Sequence, residues 1–116
     1  TATTPNGRDA GRNGYPLKIT ELIAQLPGTS YVTRQSVHTP ATIRKCKKAI
    51  AKAFQAALDK KGTSFVEVVS TCNMNWKMTP VKANEWMVEN MFPFYPPGDL
   101  KDSSKNDPSS YTPLKN

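Results

Sequence analysis

Apolar residues recur along this chain in two rhythms, and each rhythm predicts an element. Within residues 17–26, Ile19, Leu22, Ile23 and Leu26 fall three and four apart, the spacing of one helix face. Pro16 precedes that run and Pro27-Gly28 closes it. A β-prone stretch follows from Ser30 to Val37, carrying Tyr31, Val32, Thr33 and Val37, with its alternation broken at Arg34 and Gln35. Thr39-Pro40 is then a strong helix start, Thr as N-cap and Pro in the first turn. Ile43, Cys46, Ile50, Phe54, Ala57 and Leu58 form the apolar stripe of this long helix, which is expected to run to Lys61 and stop at Gly62.

Residues 64–71, SFVEVVST, give the clearest strand, with Phe65, Val66, Val68 and Val69 nearly continuous, as in strands covered on both faces. A loop, CNMNWKM, comes next. Thr79-Pro80 repeats the helix start, and Ala83, Trp86, Met87, Asn90 and Met91 share one face up to Phe92-Pro93. Strand, helix, strand in this order predicts an α/β fold: a right-handed βαβ unit with parallel strands and flanking helices. The organisation reads as an irregular segment over 1–14, an α/β body over 15–95, and a tail over 96–116 that is Pro-rich and then disordered. Pro5-Asn6-Gly7 in the first segment reads as a turn. Two parallel strands are too few for a sheet that stands alone, since both edges need pairing. The chain is therefore expected either to self-associate or to be one edge of a larger domain.

Composition narrows the classes. The chain has 116 residues, of which 37% are hydrophobic; it contains no apolar run of about 20 residues that could span a bilayer, and no signal peptide is recognisable at the start. The two cysteines, Cys46 and Cys72, with a single histidine, cannot supply a zinc or iron–sulfur ligand set, so no metal site is expected from them and a reducing cytoplasm is the simplest setting. The formal charge is +7, and +6 of it falls on residues 44–61. Lys45, Lys48 and Lys52 share a helix face apart from the apolar stripe. A stripe of this kind could bind phosphates, but no interleaved aromatics or RNA-binding strand motif accompanies it, and no Gly-rich phosphate loop occurs. A solvated face, or one turned to an acidic protein, is the plainer reading.

Chemistry-bearing residues cluster where the strands would end. Ligands of open α/β sheets bind beyond the carboxyl ends of strands, which singles out Cys72, Asn75 and Trp76 in the second loop and His38 after the first strand. A Cys–His pair could serve nucleophilic catalysis, although nothing provides a third, orienting group. Packing of Trp76 on the next helix and a capping or solvent-facing His38 are the structural alternatives. Glu67 is an acid in an apolar strand and needs a cation; Arg34 on the neighbouring strand can supply it.

The strings GYPLKITELIAQLPGTSYVTRQSVHTPATIRKCKKAIAKAF, SFVEVVSTCNMNW and MTPVKANEWMVENMFPFYPPGDLK together resemble the C-terminal part of the β subunit of 2-oxoacid:ferredoxin oxidoreductases, of the 2-oxoglutarate or 2-ketoisovalerate type. The resemblance covers residues 1–101. It implies the C-terminal portion of a thiamine diphosphate-binding parallel sheet, and an enzyme that oxidatively decarboxylates a 2-oxoacid to acyl-CoA and CO₂ with coenzyme A. It implies thiamine diphosphate and Mg²⁺ in the complete subunit, and as partners the other oxidoreductase subunits and ferredoxin or flavodoxin. The family's Gly-Asp-Gly and Asn cofactor motif is not in the chain. Thr3, Thr4 and Pro5 match the segment that trails that motif and are expected near the cofactor. With its main ligands missing, the chain is expected to be inactive alone. The alternative is a stand-alone basic module binding RNA or an acidic protein through the 43–61 helix.

Overall fold

The computed structural model describes residues 4–105. Their elements are α1 (Ala10–Asn13), α2 (Ile19–Ala24), β1 (Thr29–Ser36), α3 (Pro40–Leu58), β2 (Thr63–Val69), α4 (Asn73–Trp76), α5 (Pro80–Asn90) and β3 (Gly98–Asp102), followed by a 3₁₀ turn at Ser103–Lys105. The protein is α/β. β1 and β2 pair in parallel, in register from Val32 opposite Phe65 to Ser36 opposite Val69, with α3 as the crossover. Among the described residues no helix is long and apolar enough to cross a membrane.

The expectation of only two strands is corrected. β3 lies antiparallel to β1, giving the order β2-β1-β3 with β1 in the centre. Gly98-Asp99-Leu100-Lys101-Asp102 follows two prolines and contains no β-branched or aromatic residue, so propensity does not announce it. Side chains hold it instead. Thr33 Oγ1 donates to Gly98 O at 3.1 Å, and the Tyr31 hydroxyl donates to Asp99 Oδ1 at 2.9 Å. Lys101 Nζ donates to Leu26 O and Thr29 Oγ1, and Lys52 pairs with Asp102. Gly98–Asp102 of the segment read as a Pro-rich tail thus forms a strand; residues 106–116, expected to be disordered, lie outside the described residues.

Helix ends differ from expectation for local reasons. Thr39 caps α3 through a reciprocal box with Thr42. The helix ends at Leu58 rather than Lys61, because Lys60 turns left-handed at φ 53° and the Lys61 amide reaches back to Ala56 O. Gly62 is needed at the following bend: its φ is +126°, and a Cβ there would lie 2.7 Å from Gly28 O. The segment read as irregular at the start contains α1, a single turn capped by Asp9, whose carboxylate accepts from Arg12 N at 3.0 Å. The loop CNMNWKM likewise contains the short α4.

Arg34 sits at the middle of the sheet and is completely buried. Its Nη1 and Nη2 donate to the two carboxylate oxygens of Glu21 on α2, at 2.8 and 2.6 Å, and its Nε donates to Glu67 Oε2 on β2 at 2.7 Å. Thr20 donates its hydroxyl to the same Glu67 oxygen. Pro96 O accepts from Arg34 Nη1 at 3.4 Å, and the Tyr95 ring lies 5.1 Å from the guanidinium carbon. The expected Arg34–Glu67 ion pair is thus present, with Glu21 as a second and bidentate partner that the sequence reading did not find. The guanidinium beside Glu21 holds its carboxyl below the usual carboxylate range.

The rest of the buried set is small and half polar. Tyr31, Val32, Cys46, Ala49, Val69, Ala83 and Met87 form the apolar part, beside Thr20, Thr29, Ser30, Thr33, Ser36 and Asp102. No buried side-chain nitrogen or oxygen among the described residues lacks a hydrogen-bond partner. Much of the predicted stripe of α3 is uncovered, with Phe54 and Leu58 70% and 75% exposed. Replacing Arg34 with Met would leave Glu21 and Glu67 facing each other without a cation. Urea unfolding should show a loss of about 3 kcal/mol, the low end for breaking a buried ion pair because both carboxylates keep some access to water; a loss below about 1 kcal/mol would show that the cluster does not hold the fold.

Candidate functional site

The carboxyl ends of β1 and β2 release the chain into two segments that carry the residues singled out above. After β1, His38 precedes the Thr39 cap. Its Nδ1 lies 3.1 Å from Ser36 Oγ and its ring meets Phe92 edge-on at 5.3 Å. Its carbonyl accepts from Asn84 Nδ2 of α5 at 3.4 Å. After β2, Cys72 is exposed and leads into α4. Trp76 at the end of α4 packs on Trp86 of α5, ring centroids 4.9 Å apart.

These contacts separate the candidates. α5 holds both segments, but at different places: Trp86 takes the Cys72–Trp76 side, while Asn84 and Phe92, just past the helix, take the His38 side. No hydrogen bond joins His38 to Cys72 among the described residues; the imidazole meets Ser36 and Phe92. Trp76 therefore fills the packing role that was the structural alternative for it. Asn75 is exposed, with no hydrogen bond from its side chain among the described residues.

Thr4 and Pro5 open the expected turn, closed by the Gly7 amide donating to Thr4 O at 3.0 Å, with Gly7 at φ 88°. Residues 5–14 are exposed around it. Thr3 lies outside the described residues. Among the described residues no group of three or more His, Cys, Asp or Glu side chains comes together as a metal site.

Two concave features lie on the two sides of α3. One is a cleft of about 510 Å³ between α3, the end of β1 and the start of β3, lined by Lys45, Lys48 and Lys52 on one wall and by Gln35, His38 and Asp99 on the other. Lys52 Nζ stands 4.7 Å from the Tyr31 ring centroid. Burial, with Asp99 and Asp102 nearby, pushes the Tyr31 hydroxyl up to about 12. The other is an apolar groove of about 700 Å³ between α3 and β2, lined by Ile50, Ala53, Phe54, Ala57 and Val66 among others. It lies along the β2 side of the sheet, whose outer edge is unpaired among the described residues. The sequence reading placed the three lysines on one face but could not see that β3 supplies an opposite wall.

With this geometry in view, comparison with known proteins gives a single direction. The chain is similar to ketoisovalerate oxidoreductase subunit VorA. The subunit from Methanothermobacter marburgensis is 37% identical over 109 residues, which is 93% of this chain and 23% of that protein. The one from Methanothermobacter thermautotrophicus is 36% identical over 104 residues, 90% of this chain and 22% of that protein. The chain thus spans less than a quarter of the length of these curated relatives. No protein-family model and no solved structure matches it.

The two thiols provide a check on the site's layout. Cys46 is buried at 4% exposure on the inner face of α3, whereas Cys72 is exposed. An aromatic disulfide reagent should titrate one thiol promptly in the native protein and the second only after denaturant is added, with Cys72→Ser abolishing the prompt phase. Two prompt thiols would mean that α3 is not seated on the sheet as described.

Proposed function

We propose that the chain is a C-terminal part of the thiamine diphosphate-binding β subunit of a 2-oxoacid:ferredoxin oxidoreductase of the cytoplasm, acting in the oxidative decarboxylation of a 2-oxoacid such as 2-ketoisovalerate to acyl-CoA and CO₂. The observation that carries this reading is similarity over 93% of the chain to proteins named as subunits of a ketoisovalerate oxidoreductase. The assignment to the β subunit rests on the motif resemblance of residues 1–101. The parallel β1–β2 pair, with an apolar groove beside β2, supports it, because a parallel sheet needs cover on both faces and more strands than two.

In this reading thiamine diphosphate and Mg²⁺ are held by other parts of the complete subunit, and the thiamine supplies the carbanion chemistry there. This chain's own residues contribute a wall: Arg34 locks α2, β1 and β2 into one unit, and Trp76 on Trp86 fixes the loop beyond β2. The other oxidoreductase subunits and ferredoxin or flavodoxin are its partners within the assembly, and the chain alone does not turn over.

The test uses the coding sequence and the complete protein. A Gly-Asp-Gly and Asn motif is expected upstream of the codon for Thr1, and the complete protein with its partner subunits should reduce ferredoxin when given 2-ketoisovalerate, coenzyme A, thiamine diphosphate and Mg²⁺. Absence of the motif together with no 2-oxoacid-dependent reduction, across branched and dicarboxylic oxoacids, would overturn the reading.

The same geometry predicts association of the isolated chain. Phe54 and Leu58 are exposed on the α3 side of β2, whose outer edge is unpaired among the described residues. Light scattering of the 116-residue chain should give a mass that rises with concentration, and Phe54→Glu should lower it. A monomer at every concentration would mean that this border is not adhesive.

A further inference from the structure

The lysine-lined cleft has a charge balance that neither the fold nor the proposed function uses. Lys52 is committed, since it pairs with Asp102 and stands over the Tyr31 ring. Lys45 and Lys48 form no ion pair among the described residues, yet both line the cleft three residues apart on α3. Like charges at that spacing repel. One carboxylate, Asp99, lines the opposite wall, and it is already engaged: Oδ1 accepts from the Tyr31 hydroxyl and Oδ2 lies 3.9 Å from Lys105 Nζ. Beside the paired Lys52, two ammonium groups without an ion pair among the described residues thus stand against one carboxylate that is partly neutralised from elsewhere.

The remaining lining suits an organic anion better than a bare one. His38 has Nδ1 on Ser36, and no hydrogen bond of its Nε2 occurs among the described residues. Ala49, Phe92 and Pro97 give the cleft an apolar part. Its volume of about 510 Å³ is that of a small-molecule site. It is concave and closed on one side by β3, whereas single-stranded nucleic acid is met by open grooves with rows of stacking aromatics.

We propose that this cleft binds a small organic phosphate carrying two or more negative charges, with its phosphoryl oxygens at Lys45 and Lys48 and its organic part against Phe92 and Pro97. Ammonium groups recognise phosphate as point charges through charge-assisted hydrogen bonds. The site belongs to this chain alone and stands or falls independently of the subunit assignment.

Calorimetric titration of the 116-residue chain with ADP, and separately with inorganic pyrophosphate, tests it at low ionic strength. Saturable one-to-one binding of ADP is expected, tighter than that of pyrophosphate. Lys45→Gln with Lys48→Gln should weaken it by roughly tenfold or more. Lys60→Gln with Lys61→Gln, which removes the same formal charge from just beyond the C-terminal end of α3, should change it by less than about twofold. Both pairs are exposed, and far-ultraviolet circular dichroism verifies that the variants fold. Equal losses in the two double variants would reduce the effect to diffuse helix charge and overturn the proposal. So would no saturable binding of either probe, pyrophosphate binding as tightly as ADP, or binding seen only with single-stranded RNA or an acidic polypeptide.

Discussion

A guanidinium withdrawn from water sets the terms for the rest of this fold. Arg34 cannot be deprotonated to escape burial, so its charge has to be answered by fixed carboxylates. Glu67 answers from the adjacent strand and Glu21 from the helix that precedes the sheet. The consequence is positional: α2 must present Thr20 and Glu21 to the sheet, and its apolar residues Ile19 and Leu22, with Leu26 just beyond it, are left partly exposed. A hydrophobic stripe is normally what seats a short helix. Here a bidentate ion pair seats it, and the stripe remains for other use.

The same electrostatic economy runs through the central strand. β1 reads TSYVTRQS, yet seven of its eight residues are buried and Gln35 is half-buried. Its hydroxyls find partners in nearby carbonyls and side chains, as when Thr29 donates to Leu26 O at 2.8 Å and Thr33 to Gly98 O. A core with as many polar as apolar members stays fixed only while its hydrogen bonds are complete. That condition is met among the described residues.

Much of the architecture was legible in the sequence because it is announced locally. Thr39-Pro40 and Thr79-Pro80 cap the helices that they predict, and the Val-rich run at 65–69 lies in β2. The Arg34–Glu67 pair was legible too, since a charge in each of two neighbouring strands has few other ways to be satisfied. β3 was not, because its residues earn their place through partners tens of positions away: Asp99 through Tyr31, Asp102 through Lys52. The cleft went unseen for the same reason, as one of its walls is that strand. His38 and Cys72 were correctly placed near the ends of their strands, but their separation depends on which residues of α5 each segment meets, and periodicity carries no information about that. The loop after β2 reads as a site by position and is held by Trp76 on Trp86.

The antiparallel strand has an effect beyond covering one side of β1. Asp99, Lys101 and Asp102 load that border with charge, and two prolines stand before it, so further strands are discouraged from adding there. Among the described residues the β2 border is the one left open to a neighbour. A sheet with a single adhesive margin can be extended by one body, or joined to its own likeness about a two-fold axis, and then nothing is left to recruit a third. β3 thus acts as a terminator for one side of the described sheet, and leaves growth of the sheet to the β2 side.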